Sequence, residues 1–187
     1  MNDLGQQEEF MLLIDPEWQT DEEDEPPFEA VIGMWPVGPD GTPGRFRSNP
    51  EYVPRFADSP SDPVDALLHL ATGGEAQAVQ LQAVLRDATF DLAMNGDGRP
   101  LIVRSPDDVL CVIVATSAPH RQRVPCPDWQ TVDLDELSAL TAGDYDALFN
   151  PGGPAPVRLA ADFLRTTVAL DEAGLAAAIL AGAAGTD

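Results

Sequence analysis

The sequence predicts an α+β fold, a mixed and mostly antiparallel sheet with helices packed on it. Strand-like and helix-like runs come intermixed, without the regular alternation of a doubly wound sheet. Several links between strands have the composition of hairpin turns, foremost Asn95-Gly96-Asp97-Gly98. The stretch Asn150-Pro151-Gly152-Gly153-Pro154 is dense enough in Pro and Gly to fix one reversal, between a helix–strand pair and a final strand–helix pair.

Residues 9–14 are apolar and stop at Asp15-Pro16, which suits a strand ended by a turn. An acidic run, 21–25, is closed by Pro26-Pro27 and followed by a second strand over 28–37. The two strands are placed to pair as a hairpin with the acidic run at its tip. Residues 38–60 hold no sustained period and are rich in Pro and Gly. They read as an extended loop fastened to the body through Phe46, Tyr52 and Phe56. Asp62 caps a helix that begins at Pro63. Val64, Leu67, Leu68 and Ala71 share one face, and Gly73-Gly74 ends the helix. A second helix over 75–87 repeats the spacing with Leu81, Val84, Leu85 and Ala88.

The period then changes. Strands over 89–94 and 99–103 flank Asn95-Gly96-Asp97-Gly98 as a hairpin, and Ser105-Pro106-Asp107-Asp108 makes a second turn. Residues 109–116 form the most apolar strand and the central one. A short helix falls within 117–124, a strand over 130–132 and a helix over 133–140. Leu148-Phe149 leads into the Asn150 turn. A last strand covers Val157–Leu159, a helix covers 161–168, and Asp171 caps an Ala-rich helix to residue 180. Residues 9–170 read as one domain, with 9–60 as hairpin and long loop and 61–170 as its core, followed by an Ala-rich tail over 171–187.

With 187 residues, 44% of them hydrophobic, the chain can bury one well-packed core. Asp and Glu number 32 against 10 basic residues, all of them Arg, for a net charge of -22. Such a field repels nucleic-acid phosphates and anionic lipid heads, so neither is an expected partner. It attracts a basic protein, less strongly as salt rises, and it also serves solubility alone. The first ten residues carry Asp3, Glu8 and Glu9 and no basic side chain, unlike a secretory leader. No apolar run approaches the length of a membrane span. Cys111 and Cys126 are too few for a disulfide framework. These features point to a soluble, cytoplasmic protein.

Asn150-Pro151-Gly152-Gly153-Pro154 followed by Pro156-Val157-Arg158-Leu159 resembles the C-terminal part of the SseB N-terminal domain family. Such domains show a hairpin, a strand, a Thr-Ser segment, a short helix and then this kind of turn. Here 96–100, 109–115 and Thr116-Ser117 stand in those places. The front part resembles the actinobacterial proteins labelled type VII secretion system-associated. It does so through Trp35-Pro36-Val37, Phe46, Asn49-Pro50-Glu51-Tyr52 and Asp62-Pro63-Val64-Asp65-Ala66. The likeness spans about residues 10–170. Where the families have an aromatic before Thr-Ser, this chain has Ala115. The resemblance implies a small cytoplasmic accessory protein and brings no catalytic residues with it. Type VII substrates carry a Trp-x-Gly turn and a trailing Tyr-x-x-x-Asp/Glu. Trp18, Trp35 and Trp129 are followed two positions on by Thr20, Val37 and Thr131. Tyr52 and Tyr145 are followed four positions on by Phe56 and Phe149, so neither signal is present.

No arrangement of residues reads as an active site. His69, between Leu68 and Leu70, reads as a partly exposed helix residue, and His120 lies in a polar stretch with no nucleophile motif beside it. Cys111 reads as a buried small hydrophobe and Cys126, between Pro125 and Pro127, as accessible. Two Cys and two His so widely spaced form no zinc pattern, and 21–25 lacks the alternating ligands of a calcium loop. Neither metal nor cofactor is expected. Trp35 and Trp129 read as packing anchors. The leading expectation is a non-enzymatic adaptor acting by protein–protein contact. Its candidate surface is Arg45, Phe46, Arg47, Asn49 and Tyr52, with Asn150, Pro151, Gly152, Gly153 and Pro154 second. An immunity-like acidic inhibitor of a basic toxin is the alternative. A hydrolase is the third reading, and it requires a buried histidine or carboxylate cluster in a pocket.

Overall fold

The computed structural model describes residues 9–18, 26–39, 41–74, 78–142, 145–171 and 173–177. Strand β1 (Glu9–Ile14) pairs antiparallel with β2 (Val31–Val37), setting Phe10 opposite Pro36 and Leu12 opposite Met34. The acidic run at 21–25 lies outside the described residues. The second strand starts later than expected because Phe28–Ala30 winds into a 3-10 turn, closed by Ala30 N–H donating to Pro27 O at 2.8 Å. Within the loop over 38–60 a two-residue strand, β3 (Arg47–Ser48), adds to β2 and completes a three-stranded sheet.

Helix α1 (Pro63–Gly73) starts where expected: the Asp62 carboxylate accepts from Asp65 N–H at 3.0 Å. It ends where expected too, because Gly74 takes the left-handed conformation (φ 78°) and returns its N–H to the last turn. Val64, Leu67 and Leu68 are buried, while Ala71 faces solvent. Helix α2 (Ala78–Asp87) buries Leu81, Val84 and Leu85, and residues 75–77 lie outside the described set.

The second sheet holds β4 (Phe90–Met94), β5 (Ile102–Arg104), β6 (Leu110–Ala115), β7 (Asp128–Val132), β8 (Asp146–Phe149) and β9 (Val157–Leu159). Their order is β7-β4-β6-β8-β9, with β5 also paired to β6. β6 is the central strand and runs parallel to β8, while the other pairs are antiparallel. The expected hairpin across Asn95–Gly98 is shorter than the sequence suggests. Asn95 N–H donates to Arg99 O and Leu101 N–H to Ala93 O. The chain then leaves β4, and β5 pairs with β6 instead, Val103 facing Cys111. Strands β4 and β5 thus divide one edge of β6 between them.

Three helices complete the fold: α3 (Ala118–Arg121), α4 (Leu134–Thr141) and α5 (Ala161–Ala169). α4 opens with a capping box between Asp133 and Glu136. The tail is helical over 173–177, with Asp171 accepting from Gly174 N–H at 2.7 Å, and its predicted continuation to 180 lies outside the described residues. One buried cluster joins Leu13, Ile32 and Trp35 of the first sheet to Leu67, Leu85, Phe90 and Phe149. Phe90 and Phe149 meet edge to face, 5.5 Å between ring centres. Phe46 and Tyr52 pack on this core as expected. Phe56 does not: it is 49% exposed. Among the described residues no helix is long and apolar enough to cross a membrane.

Candidate functional site: a buried polar cluster and an exposed aromatic patch

The parallel pair β6–β8 delivers two side chains side by side at its carboxyl ends, Thr116 and Asn150. Asn150 sits at φ 50°, a left-handed conformation that Asn tolerates better than most residues. Its N–H donates to Val114 O at 2.9 Å, and its Oδ1 accepts from Thr116 N–H at 3.0 Å. Its Nδ2 donates to Thr116 Oγ1 and to Asp65 Oδ1, both at 3.0 Å. The turn then folds over α3. A Cβ on Gly153 would lie 3.1 Å from both His120 Cε1 and Arg123 Nη1 and 2.9 Å from Asn150 O, so only glycine fits that place unshifted.

Asp65, in the first turn of α1, is the hub of this cluster. Its Oδ2 accepts from Ser61 N–H and lies 2.9 Å from His120 Nε2. Burial alone would raise the Asp65 pKa. The His120 hydrogen bond, the Ser61 N–H and the charges of His120 and His69 outweigh burial and hold the carboxyl below the usual range. An ionised carboxylate only accepts, so His120 donates through Nε2. Asp62 behaves oppositely. Burial raises its pKa, and hydrogen bonds from Thr116 Oγ1 (2.6 Å) and Asp65 N–H reverse this only in part.

Of the two histidines, one is placed differently from the sequence reading. His120 is buried on α3 rather than in an open polar stretch, while His69 is a partly exposed residue of α1, as expected. His69 Nε2 lies 3.7 Å from Asp65 Oδ1 and has no hydrogen-bond partner among the described residues. Asp62, Asp65 and His120 each present one donor atom within 4.8 Å of the others, a set able to ligate a divalent cation. All four carboxylate oxygens already accept from protein donors, so the set is satisfied from within. Ser61 and Ser117 share a hydrogen bond of 2.7 Å with each other, and neither is bonded to a histidine side chain. Among the described residues this carboxylate–histidine cluster shows no nucleophile–base contact of the kind acyl transfer uses.

Of the first predicted surface, Arg45 pairs with Asp87 at 2.6 Å and Arg47 is exposed on β3. Phe46 stacks on Trp35, ring centres 4.6 Å apart. Asn49 is turned inward, a correction to the surface reading: its Nδ2 donates to Phe28 O and Val31 O, and its Oδ1 accepts from Glu51 N–H. Tyr52 donates to Pro60 O and Asp15 Oδ2. Burial, then the Asp15 charge, pushes its pKa well up. In the second predicted surface Asn150 is fully buried, again a correction, while Gly152 and Pro154 are exposed and Pro151 and Gly153 half-buried. Asn49 and Asn150 both bond main chain from inside a turn, which removes them from a partner's reach.

The sequence reading missed a neighbouring patch. Phe56 meets Trp18 edge to face at 6.1 Å, and the Arg55 guanidinium lies 5.2 Å from the Trp18 ring centre. Arg55 also pairs with Glu29 at 2.7 Å, and Phe28, next to Glu29 in sequence, is 52% exposed. Val53 is 66% exposed. The available signal was Val53-Pro54-Arg55-Phe56, apolar residues in a loop with no period to bury them. No family model, curated protein or solved structure matches the chain.

Proposed function

We propose that this protein is a non-enzymatic, cytoplasmic accessory or adaptor protein of type VII secretion, acting through protein–protein contact. The surface cluster of Trp18, Arg55 and the half-exposed Phe56 is the observation that carries the adaptor reading. Trp, Arg and aromatic residues dominate binding hot spots, and clustered exposed apolar side chains mark interaction sites. The residue-level resemblance described above supports the secretion setting. The net charge of -22 argues against nucleic acid as the partner.

The test is affinity purification of the tagged protein from its own host at low and moderate salt, read by mass spectrometry. Secretion ATPase or substrate proteins retained at both salts, and lost in Phe56→Ser, support the reading. Repeated purifications that never recover a secretion component overturn it. The charge also favours a second reading, an immunity-like inhibitor of a basic toxin. That reading predicts one small basic protein that leaves as salt rises.

A further inference from the structure

Strand β1 is one edge of the first sheet, and among the described residues only β2 pairs with it. Where its main chain points follows from β2. Pro36 O accepts from Gly44 N–H and Ile32 O from Asn49 N–H, both on the β3 side. Main-chain groups alternate sides along a strand, so Trp35 and Val37 face β1 while Met34 and Pro36 face away from it. Phe10 and Leu12, opposite Pro36 and Met34, therefore turn their N–H and C=O groups to the open edge. Natural sheet edges are blunted by charge, Pro or a covering segment. Residues 10–14 carry no charge and no Pro, and Phe10 and Leu12 are 39% and 42% exposed. A groove of about 350 Å³ beside this edge is lined by Leu13, Trp35 and Leu70 and reaches Trp18 of the aromatic patch.

We propose that β1 binds an extended segment of a partner protein as a fourth strand of this sheet, the segment being apolar at alternate positions and flanked by basic residues. The outward main chain of Phe10 and Leu12 is matched by another strand and not by a helix, whose main-chain groups are bonded internally. Alternate side chains of the added strand fall on the groove, and the others lie beside Phe10 and Leu12. Charge selects the partner. No basic residue precedes Arg45, and the exposed Glu9 and Glu17 stand at and beyond the two ends of the strand. A second copy of this chain would set two fields of -22 against each other, whereas basic flanks meet Glu9 and Glu17. The proposal rests on the adaptor reading and names how the partner is held.

Amide-resolved NMR and fluorescence anisotropy on the purified full-length protein test it. The probes are labelled peptides of alternating Thr and Val, Ile or Phe, with Arg-Arg at both ends. They are expected to bind and to protect the Phe10 and Leu12 amides from exchange, whereas the Met11 amide is protected by β2 beforehand. N-methylation at every second residue is expected to weaken binding about tenfold in one phase and little in the other. Leu12→Pro, which removes one outward N–H at an edge where Pro is tolerated, is expected to weaken binding about tenfold without lowering the Tm by more than a few degrees. No binding by any probe, equal binding in both N-methylated phases, or equal binding by a twin with Glu in place of Arg would overturn the proposal on the parent protein alone. A dimer in sedimentation, with the Phe10 and Leu12 amides protected before any peptide is added, would overturn it in favour of a second copy. If the peptides fail while secretion components are still captured and lost in Phe56→Ser, only the edge assignment falls. If the peptides bind as expected and capture fails, the edge stands and the secretion setting falls.

Discussion

Asn150 Nδ2 donates to Asp65 Oδ1 at 3.0 Å, joining two residues 85 positions apart with both side chains almost wholly buried. Removing Asn150 strips acceptors or donors from Asp65, Thr116 Oγ1 and Thr116 N–H at once. Asn150→Ala is expected to cost about 3 kcal/mol, seen as a lower urea midpoint with an unchanged slope. Asn150→Asp is expected to cost at least as much, because it sets a second carboxylate beside Asp65. An Ala variant as stable as the parent would remove the cluster from the account of the fold.

Asp62 and Asp65 give opposite pH signatures. Asp65 is held low, so its contribution to stability is complete above the ordinary aspartate value, about 3.9, and is lost as pH falls through its folded value. Asp62 is held high, so its contribution is present below about 3.9 and is lost as pH rises through its folded value. Asp62→Asn keeps a helix cap and removes the charge. It is expected to equal or exceed the parent at neutral pH and to lose that advantage in acid. Asp65→Asn is expected to be less stable at neutral pH, with the deficit shrinking in acid. Urea midpoints between about pH 3.5 and 7 check both signs.

The aromatic patch separates binding from stability. Phe56 is half exposed and touches Trp18 rather than the core. Phe56→Ala is therefore expected to change stability by less than about 1 kcal/mol while abolishing retention of the partner. Calorimetry and the pull-down, run on one preparation, read the two effects independently.

Gly33 makes room for the loop over 38–60. A Cβ there would sit 2.2 Å from Phe46 Cζ and 2.7 Å from Arg47 O. Gly33→Ala is expected to lose about 1–3 kcal/mol and to displace Phe46 from Trp35. Faster proteolysis within 38–60 would report that displacement. A variant with the parent's stability and proteolysis rate would contradict it.

The helices were the most legible elements, because capping residues and one-sided apolar spacing act locally. Asp62, Pro63 and Gly74 bound α1 with no help from the rest of the chain. Pairing was less legible. The Asn95–Gly98 turn signals a hairpin, yet β5 goes to β6, since a turn fixes only the residues beside it while the sheet decides which edge is filled. The polar cluster was illegible for the same reason. Asp62, Asp65, Thr116, His120 and Asn150 come from three separate segments, and their types suggest nothing until strand order brings them together. The Asn150 turn stood out in sequence, but its composition revealed a reversal and not the inward amide.

Those three segments also set a schedule for synthesis. A ribosome that has released residues up to about 145 has made α1, β6 and α3, yet Asp65 and Thr116 still lack Asn150. One carboxylate oxygen of the buried Asp65 therefore stays unpaired until residue 150 has emerged, and contacts this distant in sequence form slowly. The nascent protein stays open to chaperones and proteases until that residue arrives. Its commitment to the native state waits on the β8 segment and the turn after it.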